Sequence, residues 1–207
     1  WSAPSGGAPT GYIVYRDDGD GATPSIVAYD GTGATATTAT ISDLTGGTAY
    51  SYVVESLSGA GVGDVSAVAT QSTSPATPLD LSSTLQTSTS ISLSWSASVV
   101  QTNGAAVTGY KVYQDDVVKY EDSATTTDLT VDPGTLYAFA VSAVSAVGEG
   151  EKSSVLSQSS APGAPAAPTS THQTSTSISL SWTAPSSDSA SGDDATRYRV
   201  YDSSSAV

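Results

Sequence analysis

The sequence predicts an all-β chain of antiparallel sandwiches in tandem. Three observations carry that expectation. Apolar and polar residues alternate over short stretches, turn signals separate those stretches, and long blocks recur at intervals of 87 to 98 residues. The block QTSTSISLSW occurs at Gln86–Trp95 and again at Gln173–Trp182, 87 residues further on. Thr48–Val54 and Thr135–Val141 keep that offset, and Gly11–Tyr15, Gly109–Tyr113 and Arg197–Tyr201 form a third set. Trp1, Trp95 and Trp182 each head a Trp-Ser/Thr-Ala-Pro/Ser stretch. Such close copies point to recent duplication, which usually builds arrays of more than two members.

The middle copy can be read strand by strand. Ile91, Leu93 and Trp95 alternate with Ser92 and Ser94, the period of a strand with one buried face. Tyr110 and Val112 alternate with Gly109, Lys111 and Tyr113. Leu129 and Val131 mark another strand. Tyr137, Phe139, Val141 and Ala143 alternate with Ala138, Ala140 and Ser142. A loop at Ala146–Gly150 then leads into a short strand through Val155. Asn103-Gly104, Asp132-Pro133-Gly134, Gly148 and Gly150 supply the turns. No apolar stripe of helical period interrupts this pattern. About seven short strands in roughly 90 residues is the signature of a sandwich. Trp95 is the expected centre of its core, where truncation to Ala would cost on the order of 3 kcal/mol.

Composition narrows the function. Six Lys and Arg against 20 Asp and Glu give a net charge of −14. That balance argues against nucleic acid and against anionic membrane surfaces, both of which need basic partners. Cys is absent, which excludes disulfides, thiolate metal sites and a Cys nucleophile. Any His-dependent catalysis would have to use the single His172. No apolar run approaches the ~18 residues of a membrane helix, and no basic-then-apolar signal segment is present. Opening on Trp1 without Met, the chain reads as a mature or excised segment. The expectation is no catalytic residue, no cofactor and no metal.

The motifs in order resemble the fibronectin type III domain, an immunoglobulin-like sandwich. They are carried by Pro75, Pro78, Ile91, Leu93, Trp95, Tyr110, Val112, Pro133, Gly134, Tyr137, Phe139, Val141, Ala143, Gly148, Gly150 and Ser153, and the likeness runs along essentially the whole chain. The resemblance implies two sheets, A-B-E and C-C′-F-G. It also implies a tyrosine corner at Tyr50 and Tyr137, whose hydroxyls bond backbone a few residues upstream. One departure concerns strand E. Ile41 precedes Leu44 by three residues, whereas Leu129 and Val131 are two apart.

On this reading residues 1–74 are a first repeat lacking strand A and most of B, and 75–160 are a complete second repeat. Residues 161–207 are a partial third repeat with strands A to C. The partial ends fit a window on a longer array. They also fit strand complementation, in which one copy completes the next head-to-tail and builds a filament. The linkers Ser74–Pro78 and Ala161–Pro168 are Pro-rich, hence semi-rigid and extended.

Several residues invite a site reading. Asp17, Asp18 and Asp20, with Gly19 and Gly21, could form a Ca²⁺ loop, as could Asp188, Asp193 and Asp194. Against that, Asp17-Asp18, Asp115-Asp116 and Asp202 all follow strand C, where a hairpin turn itself needs Asp and Gly. Tyr15, Tyr113 and Tyr201 are expected to face outward, available to glycans or a neighbour but more simply packed across strands. His172 falls on strand A at the sandwich edge. The F–G loops Gly59–Asp64 and Ala146–Gly150 lack the Arg-Gly-Asp that some relatives of the fold carry there. Asn103 is not in a glycan sequon, while Thr35, Thr37, Thr38 and Thr40 and the Pro dipeptides could carry O- or Pro-linked glycans.

The functional expectation is a non-catalytic structural or adhesive segment of a long extracellular or cell-surface array, part of a surface fibre or filament. Its partners would be copies of itself head-to-tail, and glycans, with no nucleic acid and no membrane insertion. The alternatives are a spacer array in a secreted carbohydrate-active enzyme and a receptor ectodomain.

Overall fold

A computed structural model describes residues 8–101, 103–185 and 195–201. Trp1, Asp188, Asp193, Asp194 and Asp202 lie outside the described residues. The chain divides into two compact units. The first comprises Trp1–Leu79, Ala97–Tyr110 and Ser142–Ser153, so it takes in the first repeat, the linker after it and two loop ends of the second repeat. The second comprises Asp80–Ser96, Lys111–Val141 and Ser154–Val207.

The first repeat supplies β1 (Gly11–Arg16), β2 (Ile26–Thr32), β3 (Ala49–Ser58), β4 (Gly61–Val65) and β5 (Ala69–Ser72). All are antiparallel in one sheet of order β2-β1-β3-β4, with β5 also paired to β3. These are strands C, C′, F and G of the expected fold. Tyr12 and Val14 on β1 and Ala49, Tyr50 and Val53 on β3 are buried. Among the described residues no strand forms between 33 and 48, where strand E was expected. A strand E pairs with strand B, which the described residues of this repeat do not contain. Asp43, at φ 58°, also breaks the extended backbone there.

The second repeat supplies β6 (Leu79–Gln86), β7 (Ser90–Ser96), β8 (Val107–Gln114), β9 (Val117–Asp122), β10 (Thr126–Thr130), β11 (Leu136–Ser145), β12 (Gly148–Glu149) and β13 (Leu156–Ser159). One sheet has the order β10-β7-β6 and the other β12-β11-β8-β9, with β13 also on β11. These are the A-B-E and C-C′-F-G sheets. β7 buries Ile91, Leu93 and Trp95 and leaves its serines half-buried or exposed, as the alternation dictates. Leu129 pairs with Ile91. Val131 N–H reaches Thr89 O at 3.1 Å, so both strand E residues are buried in register. Trp95 meets the edge of Tyr120 with ring centroids 6.5 Å apart. Val112, Phe139 and Val141 complete the apolar interior of the second unit.

Two details of the second repeat need sheet position to explain them. The last strand is Leu156–Ser159, and Val155 is exposed before it begins. Pairing to β11 decides this, because the bonded partners run from Leu136–Ser159 to Phe139–Leu156. Tyr113 is buried although it lies out of phase with the core. It sits on β8, an interior strand flanked by β9 and β11, and neighbouring side chains cover such a strand on both faces.

The third repeat contributes β14 (Thr169–Gln173) and β15 (Ile178–Ser181), a two-stranded hairpin. Every residue of both strands is exposed. The residues 195–201, expected to include strand C, form no strand. In the second repeat that strand lies between β9 and β11, and the described residues here include no counterpart of either.

Candidate functional site

The aspartates after strand C are structural in both repeats. Asp115 and Asp116 have φ of 51° and 63°. They are the two-residue loop joining β8 to β9, a turn that needs positive φ at both positions and favours Asp and Asn there. Asp115 Oδ1 also accepts the Ala138 N–H of β11 at 3.0 Å, while Asp115 N–H donates to Ala138 O at 2.8 Å. Asp17 is buried and does the same for β3: its Oδ1 accepts the Ser51 N–H at 3.0 Å and the Gly19 N–H at 3.2 Å. Asp17 N–H donates to Ser51 O at 3.1 Å. These pins tie the C–C′ turn to strand F. Asp20 accepts the Ala22 N–H at 2.9 Å. Among the described residues no group of three His, Asp or Glu converges on a metal position.

Arg16 completes this corner. Its guanidinium donates to Asp17 O at 2.7 Å and lies 5.4 Å from the Tyr50 ring centroid. Tyr50 Oη accepts the Thr45 N–H at 3.0 Å, and Tyr137 Oη accepts the Asp132 N–H at 2.8 Å. Both tyrosine corners therefore close as the resemblance implied. Tyr15 Oη donates to Glu55 Oε2 at 2.9 Å across the strands, and that acceptor, with the nearby carboxylates, raises the phenol pKa. Burial raises the phenols of Tyr52 and Tyr120. The Thr32 hydroxyl bond lowers the Asp30 carboxyl. Tyr201 is exposed and His172 lies on β14, also exposed.

The F–G loops are tight hairpins. Ser58 pairs with Gly61 at φ 125°, and Ser145 with Gly148 at φ 137°. Thr35, Thr38 and Thr40 are exposed on the stretch without strand, and Thr37 is half-buried.

The residues that sequence reasoning missed anchor each linker to the turn before strand F. Thr73 N–H donates to Thr48 O at 2.9 Å, and Thr73 Oγ1 donates to Thr45 O at 2.7 Å and accepts the Thr48 N–H at 3.0 Å. Ser160 repeats the device, its N–H donating to Thr135 O at 3.0 Å and its Oγ accepting the Thr135 N–H at 3.0 Å. Gly47 N–H then bonds Ser74 O at 2.6 Å, as Gly134 N–H bonds Ala161 O at 3.0 Å. The available signal was a hydroxyl residue recurring at the repeat interval just before each Pro-rich linker.

Comparison with known proteins gives the same picture. The family model described as "Fibronectin type III domain" matches residues 1–72 and 76–159. Chitinase A1 of Niallia circulans is 37% identical over 150 residues, covering 67% of this chain and 20% of that protein. Exoglucanase B of Cellulomonas fimi is 32% identical over 202 residues, covering 88% of this chain and 18% of that protein. Chitinase Chi52 of Paenibacillus xylanexedens is 43% identical over 75 residues, covering 36% of this chain and 14% of that protein. The chain thus spans a fifth or less of the length of each relative.

Proposed function

Because the chain belongs to the fibronectin type III family, as domains in tandem, we propose that it is a non-catalytic spacer of a secreted polysaccharide-degrading enzyme. The observation that carries this reading is the set of relatives. Three proteins named as chitinases or an exoglucanase match this chain over 14–20% of their length. On this reading the module spaces a catalytic domain from a substrate-binding one. Polymeric substrates place such an enzyme outside the cell. Two features suit the role. The linkers at 74–78 and 161–168 are Pro-rich and resist collapse. The net charge of −14 keeps neighbouring modules from associating.

A second reading, a head-to-tail surface fibre of copies of this chain, draws on one observation. The exposed β15 repeats the sequence of β7, whose apolar face is buried, so it offers an apolar strand face of the same composition. One experiment separates the two. The parent protein and the 207-residue chain are assayed on insoluble chitin and cellulose, and the parent is sedimented over a range of concentrations. The spacer reading expects hydrolysis by the parent, none by the 207-residue chain, and a parent mass independent of concentration. A hydrolytically inert parent that polymerises with concentration overturns it in favour of the fibre.

A further inference from the structure

The sheet of the first repeat has a second face that its core does not use. Tyr12 and Val14 are buried on one side of β1, so Ile13 and Tyr15 take the other. Directly opposed residues of antiparallel strands share a face. Ile13 stands between Asp30 of β2 and Glu55 of β3, and Glu55 is opposed in turn by Val65 of β4. One row along, Tyr15 stands beside Val27 of β2. The pairing shifts register there, which puts Val27 and Asp30 on one face although they are three apart in sequence. Val27, Asp30 and Val65 are exposed, and Ile13, Tyr15 and Glu55 are half-buried. We propose that this face is a docking surface for a neutral polysaccharide, with Tyr15 as its platform. The proposal rests on the spacer reading for the class of polymer and gives the spacer a contact of its own with it.

Three features fit that class of ligand. Tyr15 Oη is bonded to Glu55 Oε2 on the neighbouring strand at 2.9 Å, so the ring leans along the sheet rather than standing off it. A ring in that pose, flanked by the aliphatic Val27, suits the apolar C–H face of a pyranose. Asp30 and Glu55 flank Ile13 from the strands on either side, two strand spacings or about 10 Å apart, where they can accept from the hydroxyls at a sugar's rim. Thr32 N–H and Oγ1 hold Asp30 Oδ1 at 3.0 and 2.7 Å, and Tyr15 holds Glu55 Oε2, so each carboxylate keeps its second oxygen for a ligand. The one base on β1–β5, Arg16, alternates onto the opposite face. Two carboxylates without a base beside them repel a polyanion, which leaves a neutral polymer. The second repeat has no such platform, since Tyr113 is buried and Lys111 takes the place of Ile13.

Depletion of the 207-residue chain from solution by insoluble chitin and by microcrystalline cellulose tests the face. The unaltered chain should partition onto at least one of the two. Tyr15→Ala should lower the partition coefficient about tenfold, and Tyr15→Phe, which keeps the ring, by no more than about threefold. Asp30→Ala, at an exposed position, should lower it about fivefold. Val118→Ala, exposed on β9 of the second repeat, should leave it unchanged. Circular dichroism melting checks that each variant is folded, and if Tyr15→Ala unfolds, Asp30→Ala decides in its place. No binding of the unaltered chain to either polymer, or binding that a folded Tyr15→Ala variant retains, overturns the proposal. So does a mass that rises with concentration and returns to that of the monomer in Tyr15→Ala, because the face would then belong to a second copy. Failure here is separable from failure of the spacer reading. A parent protein that hydrolyses polysaccharide while the 207-residue chain binds none keeps the spacer and sinks the face. A chain that binds through Tyr15 beside an inert parent does the reverse.

Discussion

Tyr137 illustrates how a single atom holds a corner of the sandwich. Its ring is in the core beside Phe139, centroids 6.0 Å apart, and only its hydroxyl reaches the Asp132 N–H. Tyr137→Phe keeps the packing and strands that N–H, so a loss of about 1–2 kcal/mol is expected in urea unfolding. Tyr50→Phe should act alike on the first repeat through the Thr45 N–H. A change of less than a few tenths of a kcal/mol would show that solvent replaces the bond. Three other phenols give stability a dependence on alkaline pH. Tyr15, Tyr52 and Tyr120 all have phenols raised above the ordinary value of 10.0, Tyr15 by its bond to Glu55 and the others by burial. Above that value the unfolded chain gives up these protons first. The stability they confer is therefore complete below about pH 10 and falls as pH rises through the folded values. Melting temperature should drop above pH 10 together with the rise of phenolate absorbance in the folded protein. Phenolate that appears fully at pH 10 without loss of stability would contradict the assignment. Asp30 has the opposite sign, since its lowered carboxyl stabilises at neutral pH and that contribution is lost as pH falls through the folded value.

At the scale of elements, what was legible depended on whether the neighbours that decide an element are local. The β7 alternation was readable because burial of every second residue is a property of the strand itself. The β8–β9 turn was readable as a turn because two consecutive aspartates tolerate positive φ. Its second role was not, since the acceptor at Asp115 serves Ala138, 23 residues away. Strand pairing decides both Tyr113 and Val155: Tyr113 is packed on an interior strand, as cross-strand packing expects, whereas Val155 falls before β13 begins and is exposed. The turn gives a pointed test. Asp115→Asn retains both the oxygen acceptor and a tolerance for left-handed backbone, so stability should change by no more than about 0.5 kcal/mol. Asp115→Ala loses the acceptor and puts a Cβ-bearing residue at φ 51° without compensation. Its expected cost is about 2–3 kcal/mol in the second repeat. Equal effects of the two substitutions on the urea midpoint would mean that the hydrogen bond to β11 contributes nothing.

Across the whole molecule, one ten-residue sequence is placed in two environments, which separates local from tertiary causes. In Gln86–Trp95 and in Gln173–Trp182 the turn between the first two strands is the same. Thr87 N–H and Thr174 N–H reach the carbonyls of Ser90 and Ser177 at 2.8 Å, and Ser90 N–H and Ser177 N–H return to the threonine hydroxyls at 2.8 and 2.9 Å. Local sequence therefore suffices for the hairpin. Burial is another matter. Ile91, Leu93 and Trp95 are 0%, 1% and 6% exposed, whereas Ile178, Leu180 and Trp182 are 67%, 41% and 36% exposed. The copies differ in what packs on them, which no reading of the shared block could reveal. Most of a strand's protection comes from that packing, so amide hydrogen exchange should resolve the copies. The β7 amides should exchange only with unfolding of their sandwich, at least about a thousandfold slower than those of β15, given a domain stability of ~5 kcal/mol. Equal protection in the two copies would mean that the apolar face of β15 is covered in solution. If that protection then faded on dilution, the cover would be another copy of the chain, and the fibre reading would displace the spacer. If it did not fade, the cover would come from within the chain itself.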